Sequence, residues 1–293
     1  MPDSHPFGRE LEAATAAARE AGEVILDFYD QQSAGIYEKS DGSVVTDADL
    51  ASDAIIRERI SHAFPDDPLL TEEGIDDTAR LQSDRCWIVD PIDGTQQFVD
   101  RTGEFEVLIA MVQGGRPVLA VVYQPTQDVL ISAVTGNGAT IEVNANKAPL
   151  HFSAVSPDAA LRILTSTWLG APENLPLVNE VSAALGSGDA LVSDIGVTVR
   201  RFIPPGDVTD VLIGVHPRTD STFAWEWDFA APDLIAWESG GVTTDLFGNL
   251  LRYNKPEPRN LGGIVMSVDP VTHQRVLEAL AAHREGVQPG APV

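Results

Sequence analysis

The chain has 293 residues, and 44 Asp plus Glu against 19 Lys plus Arg give it a formal net charge of −25 at pH 7. Apolar residues at 43% and charged residues at 22% are ordinary for a globular chain, which at this length buries one large core or two smaller ones. The acidity argues against nucleic-acid polymers and membranes as partners; the single cysteine, Cys86, excludes an intramolecular disulfide framework and a Cys-based zinc ribbon. No window approaches the ~18 apolar residues of a membrane span, and Met1 to Gly8 is polar without an apolar core, so a soluble, cytoplasmic protein without a secretory signal is expected.

In chain order, Leu11, Ala14, Ala18, Ala21, Ile25 and Phe28 recur at three and four and predict an amphipathic first helix. A turn around Lys39 to Gly42 precedes a second helix over Asp49 to Ala63, with Ile56 and Ile60 on one face and Pro65 beyond its end. Leu69-Leu70 reads as the end of a strand. Cys86 to Val89 is a short apolar strand running into Asp90-Pro91-Ile92-Asp93-Gly94-Thr95, where a further helix can start. Three strands, Phe105 to Val112, Pro117 to Tyr123 and Val129 to Val134, predict an antiparallel meander closed by Gly136-Asn137-Gly138.

From about residue 153 strands alternate with helices: a strand at Leu161 to Thr165, a helix near Leu177 to Leu185, and strands at Leu191 to Ser193 and Val208 to Val215. A helix over Phe229 to Ser239 and a strand over Gly263 to Ser267 follow, and the tail Gly286 to Val293 has a flexible composition. This pattern predicts an α+β domain over 1–152 joined to an α/β domain over 153–293.

Four acidic spots stand at the ends of strands or the starts of helices. Asp90 and Asp93 are three apart after a strand, with Pro91 stiffening the bend and Gly94 admitting close approach. Carboxylates with a loop carbonyl are the ligand set of hard cations, although Asp-Gly alone is also a common turn dipeptide. Helix N–H groups from Thr95 onward would face a phosphate beside such ions. Thr46-Asp47-Ala48-Asp49 opens a helix, where one Asp is also a good N-cap. Thr71-Glu72-Glu73-Gly74 follows a strand end and also reads as a solvated loop. Trp225-Glu226-Trp227-Asp228 precedes Phe229 to Pro232, with Pro in the helix's first turn; capping explains an Asp there but not the tryptophans.

Together these residues make the chain resemble the inositol monophosphatase superfamily, magnesium-dependent and lithium-sensitive phosphatases. Asp90 to Thr95 is similar to its D-P-[IL]-D-G-T signature, Glu72-Glu73 to its upstream acidic pair, and Trp227-Asp228 with Gly240-Gly241 to its W-D…G-G element; the likeness runs from the first helix to about Ser267. The resemblance implies a five-layered αβαβα sandwich of the sugar-phosphatase type, with α+β and α/β halves. It implies two or three Mg2+ ions on Glu72, Asp90, Asp93, Asp228 and the carbonyl of Ile92. Asp49, rather than Asp47, and Thr95 would share the attacking water as catalytic residues. Ions on Glu72 and Asp90 would activate that water, and one held by Asp90, Asp93 and Asp228 would assist the leaving oxygen. Phosphoryl transfer then needs no covalent side-chain nucleophile. Competing signatures are missing: D-x-D-x-[TV], G-x-S-x-G, a full dinucleotide fingerprint and an EF-hand loop.

Thr102 to Phe105, Val118 to Pro125 and the passage from Trp227 to Tyr253 look most like 3′(2′),5′-bisphosphate nucleotidases, which act on adenosine 3′,5′-bisphosphate. The resemblance assigns substrate contacts to Gly94, Thr95, Gly196 and Arg200, with Arg201 as the alternative anion partner; either arginine also reads as one half of a surface ion pair. Val197 and Arg200 replace the serine and lysine of the G-S-x-x-K pattern, and Arg200 can hold a phosphate bidentately. An inositol or broad sugar monophosphatase is the alternative, and a non-catalytic, metal-stabilised interaction protein is a remote third. The expected partner is a small phosphorylated substrate, and the chain is expected as a monomer or homodimer. With three lysines against 16 arginines, 26 Asp and 18 Glu, the surface also reads as salt-adapted.

Overall fold

The computed structural model describes residues 6–40, 42–76, 78–193, 198–204, 208–215, 224–260 and 262–283, with the side chains of 167–173 excepted. In the N-terminal part, α1 (Gly8–Gln31) leads to a hairpin of β1 (Ile36–Glu38) and β2 (Val44–Thr46), then to α2 (Asp47–Ala63). Next come β3 (Leu69–Thr71), β4 (Arg85–Asp93), the short α3 (Thr95–Val99), β5 (Glu106–Gln113), β6 (Arg116–Gln124), β7 (Val129–Val134), β8 (Ala139–Val143) and β9 (Asn146–Leu150). Strands β3 to β9 form one seven-stranded sheet in chain order, parallel between β3 and β4 and antiparallel thereafter.

The later part comprises β10 (Ile163–Ser166), α4 (Thr167–Ala184), β11 (Leu191–Ser193), β12 (Val211–Gly214) and β13 (Ala224–Trp225). Helix α5 (Glu226–Glu238), β14 (Val242–Thr244), β15 (Arg259–Asn260), β16 (Ile264–Ser267) and α6 (Pro270–His283) complete it. The five-stranded sheet has the order β11-β10-β12-β16-β14.

Alternation along the strands builds the layers. In β5, Val107, Ile109 and Met111 face an apolar cluster with Ala14, Ala18 and Ile25 of α1 and Ile56 and Ile60 of α2. Leu108, Ala110 and Val112 face the opposite cluster, with Ala230, Leu234 and Ile235 of α5. Helix α5 has almost no polar face; it packs on β5 and β6 and also on β14 and β16, so it forms the middle layer. Helices α4 and α6 cover the far face of the smaller sheet, completing an αβαβα order. Helix α1 approaches the large sheet closely at Gly22, where a Cβ would lie 2.5 Å from the Tyr123 ring.

Several sequence expectations need adjustment. Helix α2 starts two residues before Asp49, because Thr46 is its N-cap and neither Asp is. Gly136 to Gly138 does not close the meander but turns it into β8, which alternates Ala139, Ile141 and Val143, and β9, whose side chains are largely exposed. Helix α4 begins ten residues before Leu177, through Gly170, Pro172 and Pro176, which a propensity reading treats as breakers. Helix α5 begins at Glu226, so Pro232 lies in its second turn. Helix α6 follows the last element read; Asp269, accepting from Thr272 N at 2.8 Å, and Pro270 mark its start. The tail 286–293 lies outside the described residues.

Candidate active site

Strand β4 carries its apolar alternation directly into the acidic motif. Trp87 and Val89 face the α1–α2 side, whereas Cys86 and Ile88 face α5, and Asp90 continues this second row. Register with β5 is regular to Asp90↔Leu108, then shifts so that Asp93 pairs with Glu106. That irregularity brings two carboxylates, three residues apart, to one strand end. Asp90 is 2% exposed, and its Oδ1 accepts from Ile92 N at 3.0 Å. Gly94 turns the chain at φ 94°; a Cβ there would lie 2.9 Å from the Glu104 carbonyl oxygen, so glycine is required twice over. Thr95 then starts α3, with its Oγ1 donating toward Asp49 Oδ1 at 2.8 Å and near the Ile92 carbonyl at 3.2 Å.

Asp49 is held from the other side by a capping box. Its Oδ2 accepts from Thr46 N at 2.8 Å and from Thr46 Oγ1 at 2.6 Å, while Ala48 N donates to Thr46 Oγ1 at 3.2 Å. Asp49 is buried, which raises its carboxyl; the hydrogen bonds from Thr46 and Thr95 oppose that rise. Ser52 Oγ, one turn on, donates to the Pro91 carbonyl at 2.9 Å and ties α2 to the bend. Asp47 instead accepts from Gly35 N at 2.8 Å beneath the hairpin. The two acids of this motif therefore have separate tasks, and only Asp49 reaches Thr95.

Glu72 and Glu73 follow β3, and Glu72 N donates to the Val89 carbonyl at 3.2 Å, beside β4. Lys39, from the hairpin, reaches both carboxylates, with Nζ 2.8 Å from Glu72 Oε1 and 2.6 Å from Glu73 Oε1. Burial works against the Lys39 charge, but Glu72 and Glu73 outweigh it and hold the ammonium above its ordinary range. Burial, then Glu72, pushes Glu73 up to about 7.

Asp228 lies on the first turn of α5, the helix packed between the two sheets. Its Oδ2 accepts from Trp225 N at 2.7 Å. Trp225 and Trp227 stack with centroids 4.8 Å apart, and the Arg259 guanidinium lies over Trp225, so the tryptophans brace the helix start.

The electrostatics show what these residues share. Asp90 is raised well above its ordinary value by burial and then by the charges of Glu72, Asp93 and Asp228. Burial, Asp228, Glu106 and Glu72 do the same to Asp93, and burial with Glu72 pushes Asp228 up to about 8. Among the described residues, no three His, Cys, Asp or Glu side chains form a ready-made ligand cage. Glu72 turns to Lys39 and Asp228 to the Trp225 amide. The donor chemistry nonetheless fits a hard divalent cation: every candidate atom is an oxygen, and the carboxylates destabilise one another unless positive charge is added.

Arg200 and Arg201 lie on a single 3-10 turn, Val199–Phe202. Arg200 Nη2 is 3.5 Å from Gln127 Oε1, and Arg201 is 3.5 Å from Glu104. Gly196 and Val197, like Pro205 to Asp207, lie outside the described residues. Sequence reasoning missed Lys39, whose partners are 33 and 34 residues away, and Glu106. Glu106 left a signal, since it occupies the row of Leu108, Ala110 and Val112, where a charge is out of place.

The model of the inositol monophosphatase family matches residues 9–288. The chain belongs to that family. Its members are metal-dependent phosphomonoesterases, and the family generally uses divalent ions, typically Mg2+. Within it, the chain is 38% identical over 249 residues to the 3′(2′),5′-bisphosphate nucleotidase CysQ of Escherichia coli K12, covering 84% of this chain and 95% of that protein. It is 31% identical over 245 residues to the histidinol-phosphatase of Chlorobaculum parvum, covering 82% of this chain and 86% of that protein. The solved CysQ structure from Bacteroides thetaiotaomicron matches with a TM-score of 0.69 and 28% identity, over 89% of this chain and 98% of that one. The family fold has the layer order described above. No helix among the described residues is long and apolar enough to cross a membrane.

Proposed function

We propose that this family member is a 3′(2′),5′-bisphosphate nucleotidase, removing the 3′-phosphate of adenosine 3′,5′-bisphosphate to leave AMP and phosphate. The observation that carries the reading is the 38% identity to a CysQ nucleotidase over 84% of the chain. It is supported by the pair of arginines on the 199–202 turn, a cationic feature suited to a second phosphate.

Glu72, Asp90, Asp93, Asp228 and the Ile92 carbonyl would hold Mg2+, which supplies charge neutralisation for an in-line displacement at phosphorus. Asp49 and Thr95 orient the attacking water. The Thr95 hydroxyl donates to Asp49, so its lone pairs remain for a water proton, and the Asp49 carboxylate is the proton's destination. The water oxygen bonds to phosphorus, the ester P–O bond breaks, and the departing 3′ oxygen takes up a proton from solvent water. Gly94 and Thr95 contribute backbone close to the phosphate, and Arg200 with Gly196 contacts the remainder of the substrate. Two domains, 1–152 and 153–293, contribute the acids, the second giving only Asp228.

The second reading is a broader monoesterase acting on inositol, sugar or histidinol phosphates, favoured by the 31% identity to a histidinol-phosphatase and by Val197 in place of serine. A phosphate-release panel with Mg2+ separates them, comparing adenosine 3′,5′-bisphosphate, inositol 1-phosphate, fructose 1,6-bisphosphate and histidinol phosphate. The bisphosphate is expected to give a kcat/KM at least about tenfold above the others; activity confined to inositol 1-phosphate or histidinol phosphate rejects the nucleotidase. The acids beyond the site we assign to salt tolerance, so the melting temperature is expected to rise from low to molar NaCl; a fall discards that assignment.

A further inference from the structure

Helices α2 and α5 begin with the same device in two versions. Each carries an acid of the site at its third position, Asp49 and Asp228, and each carboxylate accepts from the amide of the N-cap residue, Thr46 N at 2.8 Å and Trp225 N at 2.7 Å. In α2 the Thr46 hydroxyl closes the box from the other side, accepting from Ala48 N. Trp225 cannot do so, because an indole offers one N–H and no acceptor; it makes no side-chain cap. The N-cap peptide of α5 is gripped from outside instead. The Trp225 carbonyl accepts from Asn260 Nδ2 at 3.3 Å, and Glu226 N, across the same peptide bond, donates to the Pro258 carbonyl at 2.9 Å. Trp225 also pairs in register with Arg259, whose guanidinium carbon lies 5.0 Å from the indole centroid. Three consecutive residues, 258 to 260, thus hold one N-cap.

Asn260 is the polar side chain of that grip. It is 4% exposed, and its Oδ1 accepts from Lys255 Nζ at 3.1 Å. An ammonium only donates, so the amide oxygen faces Lys255 and the NH2 group faces Trp225. The Glu226 carboxylate stands one step further back, on the other side of Lys255. We propose that Asn260 is a positioning residue for Asp228. It supplies the half of the capping box that Trp225 lacks, fixes the Trp225 amide, and through it sets the plane of the Asp228 carboxylate where the acids of the site converge. A ligand oriented in advance loses less freedom when the ion binds, and outer partners of this kind carry about tenfold to a hundredfold in metal affinity. The inference rests on Asp228 as an ion ligand and is indifferent to which ester is cleaved.

The test is calorimetric titration of Mg2+ into wild type, Asn260→Ala, Trp225→Thr and the double variant, with melting temperatures in EDTA. Asn260→Ala is expected to bind Mg2+ about tenfold more weakly. Its kcat on the best ester of the panel is expected to return to within about threefold of wild type once Mg2+ saturates. Trp225→Thr places a hydroxyl at the N-cap, as in α2, so adding Asn260→Ala to it is expected to cost less than about threefold in affinity. Unchanged affinity in Asn260→Ala, a kcat that stays low at saturating Mg2+, or equal costs in the two backgrounds would each overturn the proposal. So would a lower melting temperature in EDTA with wild-type affinity, the mark of a merely structural residue. Should Asn260→Ala not fold, Asn260→Asp decides. It keeps the oxygen that faces Lys255 and loses the donor, and its extra negative charge by itself favours a cation. Weaker Mg2+ binding in Asn260→Asp supports the role, and equal or tighter binding overturns it. Asp228→Asn, measured alongside, separates the two layers. Affinity unchanged there defeats the ligand assignment and the proposal with it, whereas affinity lost there and kept in Asn260→Ala defeats the proposal alone.

Discussion

The first turn of α5 carries two acids two residues apart, Glu226 and Asp228, and the molecule treats them differently. Glu226 is fully buried and surrounded by donors: Asn254 N at 2.6 Å, Lys255 N at 3.1 Å and the Lys255 ammonium at 2.9 Å. Burial raises its carboxyl and these partners oppose the rise. Asp228 receives one amide and faces Glu72, Asp90 and Asp93. The same charge on the same turn is a clamp where donors surround it and a candidate cation ligand where other acids do. On this turn it is the number of donors around each acid, not its burial, that sets the two apart.

Replacing Asp90 with Asn is the strongest way to test that contrast. Turnover with Mg2+ is expected to fall about a thousandfold, while the melting temperature in EDTA holds or rises because one repelling charge is gone. An intact kcat, or a collapse of the fold, would erase the distinction. Glu226→Ala should do the reverse. It strands the Lys255 ammonium and two amides, at a cost of about 3 kcal/mol, read from urea unfolding. Thr95→Val removes the hydroxyl beside Asp49, and kcat is expected to drop about tenfold to a hundredfold with KM little changed.

The smallest effect is in pH. Asp228 and Glu106, both near 8, keep protons when folded at pH values where the unfolded carboxylates are already ionised. The native state then binds more protons, so stability in EDTA should fall as pH rises from 6.5 to 8.5. His273, pushed by burial down to about 4, is neutral in both states across most of that window. The melting temperature is expected to drop by several degrees in EDTA, less with Mg2+, and less in Asp228→Asn. A rise with pH in EDTA would contradict the assignment of the raised carboxyls.

The parts of this contrast that the sequence displays are the local ones. Asp90, Asp93, Gly94 and Thr95 lie in one bend, Asp49 in one capping box, and Asp228 at one helix start, so their spacing is legible along the chain. Lys39 reaching Glu72 and Glu73, or Arg201 meeting Glu104, depends on tertiary approach across tens of residues, which spacing does not encode. The fold follows the same division. Periodic α1 and the apolar β5 to β7 meander are visible in the sequence, whereas the largely exposed β9 forms through its pairing with β8. Glu226 carries no signal of its own in the sequence, because its three donors come from residues 254 and 255.

Calorimetric titration of Mg2+ into wild type, Asp228→Asn and Glu226→Gln tests the central claim most directly. The account predicts ion binding in wild type, strongly weakened binding in Asp228→Asn, and wild-type binding in Glu226→Gln despite its lower melting temperature. Asp228→Asn binding Mg2+ as tightly as wild type would contradict it.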